Sequence, residues 1–231
     1  MATMIRDGFQ SPQIWVTKRE TKILEVLNRL VPAHMEYAEN IFGMEKYQEG
    51  NQIKKDYSLL PLILQEGKGE GKKSVRYNFT PNDFVLLRRE CEPSVNYQRT
   101  YFREMRKMNK REDGMLMRTI QIRFDYFRKN RDGSFVTDKN GEKQISNYPW
   151  YIGITEQLGE SDKNRKKIVH EQERKMNYIL ISSEEYQSML DSVCRFIDIF
   201  SIAFGVPLLR KKYQESEERK AIYFAGQKGW K

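Results

Sequence analysis

The chain has 231 residues, and its 41 Lys and Arg outnumber its 32 Asp and Glu to give a formal net charge of +9. With 39% hydrophobic and 12% aromatic residues it holds core material that disordered chains lack, so we expect a folded protein. The longest apolar stretch, residues 196–209, is too short to cross a bilayer, and the N-terminus lacks the apolar core of a signal peptide. These features predict an intracellular, cytoplasmic protein whose partner is negatively charged, either nucleic acid or an acidic surface.

Histidine and cysteine are too few and too scattered for the common catalytic and metal sites. His34 and His170 stand alone, without the HxH or HExxH spacing that holds a metal ion, and Cys91 and Cys194 make no disulfide framework. The same shortage argues against a Ser/His/Asp triad. We therefore expect a protein that is not an enzyme and that needs neither a metal ion nor a cofactor.

The first predicted elements are two helices and a pair of strands. Residues 17–20, Thr-Lys-Arg-Glu, have the spacing of a capping box ahead of an apolar run, which predicts a helix, and residues 35–42 indicate a second one. Residues 67–73, GKGEGKK, lack the glycine spacing of a phosphate-binding loop. They are interpreted as a hairpin or linker loop between strands at residues 59–64 and 75–79.

Two further helices are predicted in succession. Thr80 as N-cap and Asp83 in the first turn predict a helix start, and Pro93 is expected to end that helix. A basic helix then runs from about residue 95 to about residue 111; at about 100° per residue its apolar and basic side chains fall on opposite sides. The inward side chains are Phe84, Leu87 and Cys91 of the first helix and Tyr97, Tyr101, Met105 and Met108 of the second, and the outward cations are Arg99, Arg103, Arg106 and Lys110.

After Gly114 the pattern changes from helical to alternating, which predicts β-structure. Aspartate or asparagine followed by glycine indicates tight turns. The predicted strands are residues 115–127, 148–157 and 176–181, the turns are Asp132-Gly133 and Asn140-Gly141, and a flexible polar tip covers residues 158–175.

A second step from strand to helix opens the last predicted helix. Ser182 and Glu185 have capping-box spacing, and an apolar stripe from Tyr186 to Phe200 predicts a helix in the core or at an interface. This step echoes the one at Phe79-Thr80 with an offset of 102 residues. The echo is interpreted as coincidence rather than duplication.

The order of predicted elements is that of an α+β fold, with a winged-helix-like helical core, a β-hairpin wing and added helices. Three parts are expected. They are an N-terminal helical segment that braces the core (1–57), the nucleic-acid-binding core (58–182) and a C-terminal helix with a charged tail (183–231).

Five sequence features stand out together: the Thr-Lys-Arg-Glu helix start, Tyr-Asn-Phe-Thr at residues 77–80, Asn96-Tyr97, Phe-Arg-Glu-Met at residues 102–105, and a hairpin near Trp150 and Tyr178. With these features, residues 15–200 resemble the winged-helix domain of plasmid replication initiator proteins of the iteron-binding class. The resemblance implies a non-enzymatic DNA-binding protein, replication-initiator-like or regulatory, of a plasmid, phage or mobile element. Initiators of that class carry two winged helices in tandem, whereas only 49 residues follow Ser182, so a single-domain protein is expected.

Charge and this resemblance together indicate a surface for double-stranded DNA. The basic helix would lie in the major groove with Asn96 and Gln98 as base readers, and cations of the hairpin tip would contact phosphate. The predicted DNA-binding residues are Asn96, Gln98, Arg99, Arg103, Arg106, Lys107, Lys110, Arg111, Lys163, Arg165, Lys166 and Lys167.

Three other interpretations stay open. The basic side chains could be a solvated face. The strand aromatics could form a sheet face on which single-stranded bases stack, and rings open to solvent would favour this alternative. The protein could also be a structural or assembly protein of a virus or mobile element, forming homo-oligomers through the stripe at residues 186–200. The aromatics are Phe124, Tyr126, Phe127, Tyr148, Trp150 and Tyr151, interleaved with Arg118, Arg123 and Arg128.

Overall fold

Antiparallel β-sheet is the main structure of this protein. The computed structural model describes residues 13–30, 45–49, 52–56, 58–67, 71–96, 100–111, 113–130, 132–162 and 167–228. The chain divides into two compact units, Met1–Arg29 with Leu60–Cys194 and Leu30–Leu59 with Arg195–Lys231. Among the described residues, none of the helices is both long and apolar enough to span a membrane.

Along the described part of the chain, six strands precede the first helix, four strands precede the second, and the last two helices follow one another. The strands are β1 (Gln13–Arg19), β2 (Lys22–Leu27), β3 (Glu45–Glu49), β4 (Gln52–Asp56), β5 (Leu60–Glu66), β6 (Lys73–Phe79), β7 (Tyr101–Arg111), β8 (Gly114–Phe124), β9 (Trp150–Asp162) and β10 (Lys167–Ile181). The helices are α1 (Pro81–Asn96), α2 (Ser183–Phe200) and α3 (Val206–Lys228), with a π-helical turn, Ser201–Gly205, between α2 and α3.

The first unit contains two four-stranded antiparallel sheets. Sheet one has the strand order β1-β2-β5-β6, and sheet two has the order β10-β9-β8-β7. The edge strand β6 of sheet one lies against β8, β9 and β10 of sheet two. In the second unit β3 and β4 pair as an antiparallel hairpin.

Alternating apolar residues place a buried core on the inner faces of the two sheets. Leu60, Leu62 and Leu64 of β5 are buried, as are Ile120 and Ile122 of β8, whereas the outward neighbours Ile63 and Gln121 are more exposed. This period of two is typical of antiparallel sheets with one face towards the core and one towards solvent. The largest fully buried side chains are Trp150, Tyr77, Tyr186, Phe79, Phe84 and Phe124.

Both predicted helix starts in the strand-to-helix steps are confirmed as capping boxes. At α1 the Asp83 N–H donates to the Thr80 hydroxyl at 3.3 Å, and the Thr80 N–H donates to the Asp83 carboxylate at 2.7 Å. At α2 the Glu185 N–H donates to the Ser182 hydroxyl at 3.1 Å, and the Ser182 N–H donates back at 2.8 Å. These reciprocal bonds satisfy backbone donors that a helix N-terminus leaves open.

The first unit therefore repeats one pattern, a four-stranded antiparallel sheet followed by a capped helix. The residues four positions after each cap, Phe84 and Tyr186, are both buried. The sequence echo at an offset of 102 residues joins these equivalent positions. The echo therefore has a structural counterpart in these two strand-to-helix steps.

Two predicted helices were wrong, and with them the winged-helix-like helical core. The capping box at residues 17–20 precedes no helix, because Glu20 lies in a turn with φ of 51° and β1 pairs with β2. The basic helix predicted at residues 95–111 is wrong, because its residues from Tyr101 onward form strand β7, which pairs with β8 along its whole length. α1 also continues past Pro93 to Asn96.

Of the remaining predicted elements, one is confirmed, one is wrong in its length and one lies outside the described residues. The hairpin that joins residues 59–64 to 75–79 is confirmed as the antiparallel pair β5 and β6. The polar tip at residues 158–175 was wrong in its length, because β9 extends to Asp162 and β10 begins at Lys167. The helix predicted at residues 35–42 lies outside the described residues.

Both cysteines are buried, and neither forms a disulfide. The Cys91 sulfur on α1 lies 3.4 Å from the Tyr186 hydroxyl on α2. Burial raises the pKa of the Cys91 thiol to about 11. This thiol is therefore protonated at neutral pH, and it serves packing rather than chemistry.

Glu185 ties α2 to β1 with a carboxylate that stays ionised. It accepts hydrogen bonds from the Thr17 hydroxyl at 2.7 Å, from the Arg19 guanidinium, and from the Ser182 N–H at 2.8 Å. Burial opposes its ionisation, but these donors outweigh burial and lower the pKa of Glu185 to about 2. The ionised carboxylate therefore stabilises the fold at every pH at which it keeps its charge.

We expect the free energy of unfolding to fall as the pH is lowered from about 4.5 towards 2, because the unfolded Glu185 carboxyl takes up its proton before the folded one. Glu185→Gln should flatten this acid limb and lower the stability at neutral pH by about 2 kcal/mol. Urea unfolding at a series of pH values measures both effects. The exposed neighbour provides a matched control in Glu184→Gln, and an unchanged acid limb in Glu185→Gln would contradict the assignment.

Candidate nucleic-acid interface

The outer face of sheet two presents large apolar and aromatic side chains to solvent. Strand alternation places Phe102 of β7, Arg123 of β8, Tyr151 of β9 and both Tyr178 and Leu180 of β10 on this face. Phe102 is 62% exposed, and Tyr178 and Leu180 are each 45% exposed. Exposed apolar side chains that share one face mark a binding surface more often than scattered ones do.

Two tyrosines form the centre of this face. The rings of Tyr151 and Tyr178 stack with centroids 5.5 Å apart and planes 21° apart. Tyr178 is paired across the strands with Gly153, and the Tyr151 ring lies over that glycine. A Cβ atom at Gly153 would come within 2.5 Å of the Tyr151 hydroxyl oxygen and 2.8 Å of its Cε1. The absence of a side chain at Gly153 therefore lets the two rings lie near-parallel, and we call them the aromatic platform.

Cations lie over the rings of the aromatic platform. Lys22 Nζ is 4.0 Å from the centroid of the Tyr178 ring and also donates to the Tyr178 carbonyl oxygen at 2.8 Å. The Arg123 guanidinium is 5.1 Å from the centroid of the Tyr151 ring. Each cation also has a carboxylate, with Glu66 at 3.7 Å from Lys22 and Asp125 at 2.6 Å from Arg123. The rings are therefore the main chemical feature of this face, and the cations over them are partly neutralised by carboxylates.

Residues 125–149, between β8 and β9, form an excursion beside the aromatic platform. Its backbone ladder includes the Arg128 N–H donating to the Gln144 carbonyl and the Val136 N–H donating to the Arg128 carbonyl, both at 2.9 Å. Gly133 and Gly141 have φ of 86° and 82°, conformations that glycine adopts without strain, and they confirm the two predicted turns. The excursion is thus a folded segment and not an open loop.

A cavity of about 880 Å³ lies between the excursion and the adjacent end of sheet two. This volume is within the range of about 300–1,000 Å³ common for ligand pockets. Three cations line it against one carboxylate, and that carboxylate, Asp125, pairs with Arg123 at 2.6 Å and Lys129 at 2.7 Å. The lining cations are Arg123, Arg128 and Lys129, and the aromatic and aliphatic walls include Phe127, Tyr148, Tyr151 and Leu180.

The arginine side chains that were predicted to share one side of a basic helix lie on opposite faces of strand β7. Arg103 lies on the inner face and pairs with Glu90 at 3.0 Å. Arg106 lies on the outer face and pairs with Glu104. A strand alternates its side chains where a helix would gather them, so these cations do not form one surface.

The other predicted DNA-binding residues are spread along the chain. Lys107 pairs with Asp83 at 3.4 Å, while Lys110 and Arg111 are exposed at the end of β7. Asn96 is the last residue of α1, and Lys167 is the first residue of β10. The predicted residues outside the described part of the chain are Gln98, Arg99, Lys163, Arg165 and Lys166.

The strand aromatics also divide between core and surface. Phe124 and Trp150 are buried, whereas Tyr151 lies on the outer face and Tyr148 is exposed. Tyr126 and Phe127 are half-buried, Arg123 and Arg128 are exposed, and Arg118 is buried against Glu156. The apolar stripe at residues 186–200 is mostly buried within the chain.

Sequence reasoning did not identify Tyr178, Gly153 or Lys22 as residues of a binding face, although it placed Tyr178 in a hairpin. Alternation could have found Tyr178, because Met176, Tyr178 and Leu180 alternate with residues that are buried. The importance of Gly153 and Lys22 depends on pairing between distant strands, which no local pattern shows.

Within the described residues, no group of three or more His, Cys, Asp or Glu side chains is placed to hold a metal ion. Comparisons of the chain with protein-family models, with curated protein sequences and with solved structures gave no match. The chemistry of the outer face is therefore the basis for a function.

Proposed function

We propose that this protein binds single-stranded nucleic acid on the outer face of sheet two, with Tyr151 and Tyr178 as the rings on which bases stack. The observation that carries the proposal is the near-parallel pair of tyrosine rings on a solvent-facing strand surface. Single-strand binding proteins combine aromatic side chains, which accept any base, with cations that follow the backbone.

The surroundings of the aromatic platform supply such cations. Lys22 and Arg123 lie over the two rings and are each also paired with a carboxylate, and exposed Arg128 lines the adjacent cavity. Within the described residues Arg128 has no carboxylate partner, so its charge is available to a phosphate group. The net charge of +9 also favours association with a polyanion.

A single strand fits this face better than a duplex does. In duplex DNA each base is stacked on its neighbours, so its flat surface is not available to a tyrosine ring. Reading of a duplex relies on an element that enters the groove. The basic segment predicted for that role is an edge strand whose Arg103 and Arg106 are paired with carboxylates.

A direct comparison of ligands tests the proposal. Fluorescence anisotropy with a labelled oligothymidylate, an oligouridylate of equal length and a hairpin duplex, all at one salt concentration, should show tighter binding of the single strands. The logarithm of the association constant should also fall linearly with the logarithm of salt concentration, by about 0.7 per phosphate neutralised.

Two outcomes would contradict single-strand binding. One is a hairpin duplex that binds as tightly as the single strands. The other is an oligothymidylate and an oligouridylate that both fail to bind at low salt, where the electrostatic contribution is greatest.

A further inference from the structure

The cavity between the excursion and sheet two has an aromatic wall with one free side. Tyr148 lines this cavity and is 43% exposed. The Arg19 guanidinium lies 4.1 Å from the centroid of the Tyr148 ring, and a salt bridge to Glu185 holds that guanidinium in place. Arg19 is not among the residues that line the cavity, so it covers the side of the ring away from the cavity. The other side of the ring is left for a flat ligand.

The cations of the cavity lining suit a phosphate group. Three cations against the one carboxylate of Asp125 leave a surplus of two positive charges. Asp125 pairs with Arg123 and Lys129, whereas Arg128 forms no salt bridge to any described residue. A guanidinium without a carboxylate partner can donate two parallel hydrogen bonds to phosphate oxygens. Arg128 is therefore the cation of this lining that is best placed to accept a phosphate.

The cavity also has polar groups and a volume that match a nucleotide. Gln144 and Asn147 line it, and within the described part of the chain their side-chain amides form no hydrogen bond. An amide offers both a donor and an acceptor, as the edge of a base does. The volume of about 880 Å³ is in the range of pockets that enclose ligands of a nucleotide's size.

The cavity is continuous with the aromatic platform. Tyr151 is one of the two platform rings and also lines the cavity. Leu180 lines the cavity too, and it shares the outer face of β10 with Tyr178. A strand whose bases stack on the aromatic platform therefore reaches the cavity without leaving the protein surface.

We propose that the cavity holds one nucleotide, with its base stacked on Tyr148 and its phosphate bound by Arg128. The nucleotide comes from one of two sources. It is the neighbouring nucleotide of the strand on the aromatic platform, in which case the inference rests on the proposed function, or it is a free mononucleotide, in which case it does not.

Two variants remove the two contacts separately. Arg128→Gln removes the phosphate contact and Tyr148→Ala removes the base contact, and both side chains are exposed, so folding should be retained. The matched controls are Arg210→Gln and Tyr213→Ala, which change exposed residues of α3. Tyr148→Phe keeps the ring and should bind as the wild type does.

A third variant adds a charge instead of removing a side chain. Asn147→Asp places a carboxylate in the cavity lining from an exposed position, so it should repel the phosphate without opening the fold. Its control is Asn140→Asp, at an exposed turn of the excursion that does not line the cavity.

The first measurement uses thymidine 5′-monophosphate at constant ionic strength. If the ligand is a free mononucleotide, this compound raises the Tm of the wild type and of the controls, because it binds the folded state. Thymidine alone and sodium phosphate alone should raise the Tm less, since each supplies only one of the two contacts. In Arg128→Gln, Tyr148→Ala and Asn147→Asp the increase should be lost.

The second measurement uses an oligothymidylate and fluorescence anisotropy. If the ligand is a nucleotide of the bound strand, Arg128→Gln should bind about tenfold more weakly than Arg210→Gln, and its salt dependence should be shallower by about 0.7. Tyr148→Ala should bind about fivefold or more weakly than Tyr213→Ala.

The site is overturned if Arg128→Gln and Tyr148→Ala match their controls in both measurements. A loss confined to Arg128→Gln also overturns it, because the phosphate would then be bound without a base in the cavity. Failure of the proposed function looks different, because the wild type then binds no oligothymidylate. In that case the monophosphate measurement alone decides, and a wild-type Tm that does not respond to thymidine 5′-monophosphate overturns the site.

Discussion

Replacing Tyr151 or Tyr178 by alanine is expected to weaken binding of an oligothymidylate by roughly 10- to 100-fold, because a base stacked on an aromatic ring contributes about 1–3 kcal/mol. The two rings stack on each other, so the double variant should lose less than the product of the two single losses. Fluorescence anisotropy at one salt concentration measures the change. Tyrosine-to-phenylalanine variants keep the rings and should retain most of the affinity.

Tyr213→Ala serves as the matched control, because Tyr213 is a 67% exposed tyrosine on α3. Gly153→Ala gives a subtler variant, since its Cβ would displace the Tyr151 ring while every aromatic side chain is retained. Gly153→Ala should bind weakly, as Tyr151→Ala does, while remaining folded, because the atoms that the new Cβ displaces are the far end of the Tyr151 side chain and not backbone. Full affinity in both Tyr151→Ala and Gly153→Ala would refute the stacking role.

Trp150→Ala is expected to lower the free energy of unfolding by about 3–5 kcal/mol, a large part of the roughly 5–15 kcal/mol typical of a folded domain. Trp150 is 0% exposed, and its ring stacks on Tyr186 with centroids 3.8 Å apart and planes 11° apart. Phe124 lies 4.9 Å from it, centroid to centroid. Removing the indole opens a cavity between sheet two and α2, and urea unfolding measures the loss.

Trp150→Phe is the informative companion to that variant. Among the residues described, the buried indole N–H of Trp150 has no acceptor, so phenylalanine keeps a ring against Tyr186 and removes an unsatisfied donor. The loss should be about 1–2 kcal/mol, clearly smaller than for alanine. Equal losses in the two variants would show that the ring stack contributes little.

The helix starts show when capping residues in the sequence are enough to predict a helix. Thr80 and Ser182 each follow a buried strand and each precede residues that face a core, so local capping and long-range packing agree. Thr17 and Glu20 have the same spacing, but the alternation of Trp15, Thr17 and Arg19 suits a strand. A capping pattern predicts a helix only where the following residues keep a helical period.

Strand β7 shows where local pattern fails. Its tyrosine and methionine residues recur at helical spacing, yet polar residues occupy both faces of the strand and hide the period of two. Pairing with the apolar strand β8 decided the structure, and Gly114 with φ of 138° lies where the two strands meet.

The candidate site was predictable only in part. The chemistry of aromatic rings interleaved with cations on strands was visible in the sequence, and Tyr151 was among the residues singled out. The division of those rings between core and surface depends on register, because a shift of one residue exchanges the two faces of a strand.

Because both cysteines are buried, a fluorescent dye can be attached at one chosen position to detect ligand binding. Cys91 and Cys194 are the two cysteines of the chain, and both are inaccessible in the folded state. A single cysteine introduced at exposed Ser134, at a turn of the excursion, would therefore react with a maleimide dye ahead of the native thiols. The dye would report from beside the cavity on the otherwise unaltered polypeptide.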